Sequence, residues 1–372
     1  MVTPAHDSGK GASSPPVPPV TSPVPVVTGS HPAVAARRPT ITDVARAAGV
    51  SIAVVSYALN GRPGVSAATR ERVLRVADEF GWRPSAAARS MRTGPRAVGL
   101  VVDRGPSGTA GRAGQVLELV DALQHVLATR SLALVLQVVD DVDAAVALYA
   151  QWWAERRFDV MVVTDVRTQD PRVDALRRLR VPSVVLGGTS PGGEVAAVGV
   201  DDEDAAARVG RYLVELGHRH VAAVTAPAGL DRTRARVAGL ERTVAGAGGV
   251  LTHRATAGTP EEAAAACRRL LTDPRPPTAV VLDSDQMAVA ALDVARRTGL
   301  AVPWDLSVVA LADSALCRLA TPSITALPAV AEEAGTAVGE AVLALLDGSG
   351  QRAWTVAPGG LAVRGSTGPR SR

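Results

Sequence analysis

Seven short apolar runs, most of them separated by stretches of helical spacing, constrain this chain more than any other feature. They are AVGLVV (97–102), LALVLQVV (132–139), DVMVVT (159–164), PSVVLG (182–187), VAAVTA (221–226), TAVVLD (278–283) and LSVVALA (306–312). A strand that is apolar on both sides must be covered on both faces, and helices between such strands give parallel pairing. Helix-like stretches at Gln115–Thr129, Asp202–Leu216 and Asp285–Thr298 supply the cover. The pattern predicts parallel doubly wound sheets, divided between two α/β lobes rather than held in one. A single (βα)8 barrel is the competing topology. Hydrophobic residues make up 47% of the 372 but aromatics only 3%, so these cores must rest on Ala, Val and Leu.

Ahead of this body the chain changes character twice. Residues 1–38 are Pro, Ser, Thr, Val and Gly without period, a composition that cannot bury a core and reads as a disordered tail. No basic stretch precedes their proline-broken apolar residues, so they do not read as a secretory signal. No apolar run approaches the roughly 20 residues of a membrane span, and the expected place of work is the cytoplasm. From Arg37 to Arg96 there are 11 Arg against 4 acidic residues, a local charge of +7, whereas the remainder from Ala97 carries −3. A basic module on a slightly acidic body points to a nucleic-acid reader joined to something else.

Within that module, Ile41, Val44, Ala45 and Ala48 share one helical face. Gly49 permits the left-handed turn that follows, and Ser51 can cap the next helix. There Val55, Ala58 and Leu59 point inward, and Asn60-Gly61 stops the helix. Ser66 can cap a third helix whose Val73, Val76, Ala77 and Phe80 face the core. Two short helices across a tight turn, braced by a third, make a helix-turn-helix unit spanning 39–83. Its second helix is the element that fits a major groove, and it leaves Ile52, Ala53, Ser56 and Tyr57 outward. The first two suit thymine methyls, while Ser56 and Tyr57 carry polar contacts. Thr42, Ser51, Asn60, Thr69 and Arg70 complete the expected DNA contacts, mostly to phosphates. A small helical bundle with a few exposed apolar groups is the plainer alternative.

The stretch TITDVARAAGVSIAVVSYALNGRPGVSAATRERVLRVADEFGWRPSAAARSMRTG (40–94) resembles the DNA-binding module of the LacI (lactose-repressor) family. The likeness continues through VGVDDEDAAARVGRYLVELGHRHVAAVTAP, RARVAGL and TPSITALPAVAEEAG, to about residue 365. It implies a dimeric transcription regulator, most simply a repressor, that reads a pseudo-palindromic DNA operator and answers to a small effector. It also implies a periplasmic-binding-protein-like body over 97–366, with an N-lobe (97–195 plus 327–347) and a C-lobe (196–326 plus 348–366). A hinge helix and linker fall at 84–96. There Met91 stands where relatives carry a leucine wedge for the minor groove, with Arg89 and Arg92 near phosphates. Many relatives have Arg where this chain has Tyr57, and a tyrosine cannot make the bidentate guanine contact of an arginine.

For the effector the resemblance implies Arg236, Ser284 and Asp285, and Thr164 and Asp313 complete the expected set. The match is imperfect: the acid expected after SVVAL is Ala312, with Asp313 one position on, and SVVL ends in Gly187. A sugar or sugar derivative is the effector class implied, without a stacking ring at the strand ends to support it. For Arg236 a salt bridge, and for Asp285 a helix cap, are the competing roles. No cofactor is expected. GHRH (217–220) is a poor metal motif, and Asp201, Asp202 and Asp204 read as a helix N-terminal acid cluster. GGTSPGG (187–193) reads as a turn, and Cys267 and Cys317 as reduced structural thiols. A solute-binding receptor and an α/β enzyme are the rival classes. The basic module argues against the first, and the lack of a nucleophile–base or acid–base constellation against the second.

Overall fold

In a computed structural model of the chain, residues 40–59, 62–80, 97–104, 113–187 and 195–370 are described. They fall into two compact units that divide after Arg89. The first holds α1 (Ile41–Ala48), α2 (Ile52–Leu59) and α3 (Ala67–Glu79). Thr40 and Asp43 form a reciprocal capping box at the start of α1. Gly49 closes α1 at φ +65°, and its N–H donates to the carbonyls of Ala45 and Arg46. Such a φ is cheap for glycine alone, and the axis bends by 98° into α2. Val44, Val55 and Val73 are fully buried at the centre, with Ala45, Ala48, Ala58 and Ala77 around them. The inward position expected of Phe80 is not observed: it caps the end of α3, where the chain leaves the bundle, and is 44% exposed.

The second unit contains two sheets, both wholly parallel. The first runs β11 (Ala353–Val356), β5 (Ala196–Val200), β4 (Ser183–Leu186), β3 (Val160–Val163), β1 (Ala97–Asp103), β2 (Ala133–Val139). The second runs β10 (Thr325–Ala326), β9 (Ser307–Ala310), β8 (Ala279–Leu282), β6 (His220–Thr225), β7 (Val250–Ala255). In each, the first strand sits inside, the second lies on one side and the next three on the other. The barrel alternative is thereby replaced by two doubly wound lobes. Val98, Leu100 and Val102 of β1 face α4 (Ala113–Ala128) and α12 (Ala331–Leu346). Val101 points the other way, toward α5 (Val142–Ala154) and α6 (Pro171–Leu179). The second sheet alternates likewise between α7 (Asp202–Glu215) with α8 (Asp231–Gly246), and α9 (Pro260–Leu271) with α10 (Asp285–Arg297) and α11 (Ala315–Leu319).

The expected lobe limits need two corrections. Strand β5 pairs with β4, so the first lobe runs on to Val200 instead of ending at residue 195. Residues 353–356 also belong to the first lobe, because β11 pairs with β5, and the chain returns to the second only where Ala362 bridges Ala326. Both segments are short, and their partners decide where they lie. Among the described residues no single helix is long and apolar enough to cross a membrane.

Helices α7 and α8 approach closely at Gly239, where an added Cβ would lie 2.1 Å from the Glu203 carbonyl oxygen. Gly239→Ala is therefore expected to destabilise the second unit by about 1–3 kcal/mol, the usual cost of overpacking. Gly246, at the end of the same helix, has open space around its Cβ position. Gly246→Ala should instead stabilise, by up to about 1 kcal/mol. Urea unfolding of the two variants beside the parent checks both signs.

Candidate functional site

Two sets of side chains stand out, one in each unit. In the first, the hydroxyl oxygen of Ser51 accepts from Val54 N at 3.3 Å and starts α2. Ile52 and Tyr57 are 48% and 42% exposed, Ala53 is exposed, and Ser56 is half-buried. An outward face carrying isoleucine, alanine and a tyrosine ring has no folding reason to stay uncovered. Thr42 is exposed on the first turn of α1. Ser66 caps α3 and donates to Thr69 Oγ1 at 2.8 Å. Arg70 donates from Nη2 to the Arg62 carbonyl at 2.9 Å, so part of its fork is used within the unit. Asn60, Arg89 and Met91 lie outside the described residues, as does the expected hinge helix.

In the second unit a cavity of about 440 Å³ opens where the carboxyl ends of β1, β3, β6 and β8 converge. Those strand pairs flank the switch point of each sheet, where open α/β sheets take ligands because strand order reverses there. Arg236, on α8, is its centre. It donates from Nε to Asp202 Oδ1 and from Nη1 to Asp283 Oδ1, both at 2.8 Å. Burial disfavours its charge, but the two carboxylates outweigh burial and hold the guanidinium above its ordinary pKa. Asp283 is likewise opposed by burial, yet Arg236, Arg232 and the Ala226 N–H keep its carboxyl below the usual range.

The rest of the wall repeats this pairing. Arg172 is buried and forked onto Asp170, with Nη2 to Oδ2 at 2.7 Å, and also reaches the Asp165 carbonyl. Arg167 pairs with Asp103 at 3.0 Å and Arg232 with Asp165 at 3.1 Å. The Arg232 Nε is buried without a hydrogen-bond partner. So is the Tyr149 hydroxyl beneath the wall, which burial pushes up to about 12. The loop after β3 is also stitched to the start of α8. Arg167 and Leu230 form an antiparallel bridge, and Asp231 N donates to Val166 O at 3.1 Å. Thr168 Oγ1 donates to Asp231 Oδ1 at 2.7 Å and accepts from Arg234. These bonds cross from one lobe to the other at the cavity rim.

Of the expected effector residues, Thr164, Arg236 and Ser284 line this cavity. Ser284 also caps α10, accepting from Met287 N at 3.3 Å. Asp285 and Asp313 line an adjoining recess instead. The carboxylate of Asp313 is clasped by Arg364 at 3.0 and 2.6 Å. Asp202 and Asp283 were missed as partners of Arg236. The signal for Asp283 is its place as the last residue of TAVVLD, one step before Ser284 and Asp285. Asp202 was hidden in an acidic helix start, where Asp201 caps and Asp204 pairs with Arg208 and Arg211. His218 of GHRH is buried and bonded to Thr278, Ser307 and the Gly368 carbonyl. Burial holds its pKa down. Burial raises the thiols of Cys267 and Cys317, to about 12 and about 11.

With this geometry in hand, the likeness to known proteins is specific. Residues 40–85 match the family described as bacterial regulatory proteins, lacI family, and residues 211–367 match a periplasmic binding protein-like domain. The HTH-type transcriptional regulator AglR of Rhizobium meliloti is 33% identical over 283 residues, 73% of this chain and 76% of that protein. The HTH-type transcriptional repressor PurR of Erwinia tasmaniensis is 30% identical over 304 residues, 80% and 87% of the two chains. A complex of the transcriptional regulator CelR with cellobiose aligns with TM-score 0.66 at 27% identity, over 88% of this chain and all of that one. The lac repressor dimer bound to operator and the anti-inducer ONPF gives TM-score 0.77 at 22% identity, over 89% of this chain, and speaks for the fold alone. This chain belongs to the LacI family of bacterial regulatory proteins and is a DNA-binding transcriptional regulator.

Proposed function

We propose that the protein represses transcription as a dimer on an inverted-repeat operator, and that a small polyhydroxylated effector in the cavity sets its affinity for DNA. The observation that carries the effector half is Arg236 shared between Asp202 and Asp283 at the convergence of four strand ends. A cavity of about 440 Å³ suits a molecule the size of a mono- or disaccharide. Its wall alternates guanidinium and carboxylate groups in pairs, which favours a neutral ligand with several hydroxyls over a strongly charged one. No aromatic residue lines it among the described residues, so such a ligand is held by hydrogen bonds rather than by ring stacking. The contacts between 166–168 and 229–231 tie the two lobes at the rim, and binding acts by shifting the balance of lobe arrangements. On the DNA side, Ile52, Ala53, Ser56 and Tyr57 enter the major groove, with Thr42, Ser51, Thr69 and Arg70 beside phosphates. Asn60 joins them, Met91 enters the minor groove and Arg89 lies near phosphates. The protein works in the cytoplasm, by binding and not by catalysis.

Selection of bound duplexes from a random pool, with the full-length protein at near-physiological salt, tests the DNA half. An inverted repeat with a fixed centre is the expected product. Binding without a motif that disappears as salt rises would leave only phosphate attraction and sink the reading. For the effector half, thermal-shift screening of mono- and disaccharides against purine bases as controls should give a saccharide hit, and Arg236→Met should abolish it. Purine binding alone would refute the assignment.

Arg236→Met also takes the shared guanidinium away from two buried carboxylates, at a cost of about 3–5 kcal/mol near neutral pH. In the parent, the carboxyl of Asp283 titrates below its unfolded value of about 3.9. Its contribution to stability is thus complete above that value and is lost as pH falls through the lower, folded one. In the variant burial raises the Asp283 carboxyl with no Arg236 to oppose it, so the variant should gain stability relative to the parent as pH falls from 7 to 5, the loss that buried His218 brings being common to both. Urea midpoints across that interval give the comparison.

A further inference from the structure

Arg62 is the first described residue after α2, and both ends of its backbone are anchored. Its N–H donates to the Tyr57 carbonyl at 3.0 Å, and its carbonyl accepts from Arg70 Nη2 at 2.9 Å. From that fixed start the side chain turns back along α2, and the guanidinium carbon lies 5.6 Å from the centroid of the Tyr57 ring. Arg62 is exposed, and no carboxylate pairs with it among the described residues. A guanidinium near an aromatic ring is attracted by the ring's negative face, which restrains a long side chain that would otherwise sample many rotamers.

We infer that Arg62, positioned by the ring of Tyr57, is the guanine-reading side chain of this DNA module. The inference rests on the proposal that α2 enters the major groove. None of the four outward residues of α2 can make a two-pronged donor contact: Ile52 and Ala53 have no donor, and Ser56 offers one hydroxyl. Tyr57 likewise has a single hydroxyl. The guanidinium over its ring supplies the fork that fits O6 and N7 of guanine. Tyr57 lies one turn along from Ala53 on the exposed side of α2, so a group placed against its ring is carried toward the base edges and not only toward the flanking phosphates. Tyr57 thus acts on guanine through Arg62, as a positioning residue.

The test uses full-length protein and duplex selection with the parent, Arg62→Ala, Arg62→Lys, Tyr57→Ala and Tyr57→Phe, followed by affinities for matched and single-mismatch duplexes at several salt concentrations. The parent should require one G·C pair in each half-site and prefer it about 5- to 150-fold over the alternatives. Arg62→Ala should lose that preference at that pair alone, leaving the rest of the motif. Arg62→Lys, which keeps the charge without the fork, should recover only part of it. Tyr57→Ala should weaken the same preference, while Tyr57→Phe keeps the ring and with it the preference, even where total affinity falls. If Arg62→Ala lowers affinity equally for every sequence and reduces the salt slope by about 1, Arg62 is a phosphate contact and the inference is overturned. An unchanged motif and affinity would overturn it too. A parent that selects no motif removes the groove-reading proposal itself, an outcome distinct from both.

Discussion

Parallel strands covered on both faces have no place for a polar side chain except at their ends. That constraint orders the whole second unit. Every residue of β3, β8 and β9 is buried, and the first polar groups after β3 and β8 are Thr164 with Asp165, and Asp283 with Ser284. Because each sheet repeats the same strand order, each has one switch point. The two sets of strand ends meet at a single cavity. A polar cavity is therefore a consequence of how these sheets exclude polarity elsewhere.

What the strand ends bring together is charge, and charge in a half-closed cavity must be paired. The chain has 40 basic residues, and Lys10 is its single lysine. The guanidinium group is weakly hydrated and offers a planar fork, so it tolerates such burial better than an ammonium group would. Arg236 uses two edges of that fork on carboxylates from two different segments, the start of α7 and the end of β8. Arg172 uses its own on Asp170, which also caps α6. These pairs hold the wall in place, and a ligand hydroxyl that displaces one bond finds both a donor and an acceptor released.

The helical module follows a different logic, since its core is small and built mostly of Val and Ala. Capping carries much of its definition: Thr40 with Asp43, Ser51 and Ser66 each satisfy N–H groups that the short helices leave open. All of these partners lie within three residues of each other, which is why the Ser51 and Ser66 caps and the Gly49 turn were legible in the sequence. The stacking of Arg62 on Tyr57 was not legible, because it depends on how the chain turns back after α2.

The sequence by itself determined what short-range geometry controls. Apolar runs mark buried strands, helix faces follow a period of 3.6 and caps a spacing of three, so β1–β4, β6, β8 and β9 and the outward face of α2 could be read locally, whereas β5, β7, β10 and β11 could not. Tertiary structure decided everything that required two distant segments to choose each other. Strands β5 and β11 joined the first sheet because their ladder partners are there. Arg236 met Asp283 across 47 residues, and Asp313 was taken by Arg364 across 51, which drew it out of the set expected to hold the effector. Many carboxylates could have paired with either arginine on charge alone. Only the packed sheets bring one of them within hydrogen-bond distance.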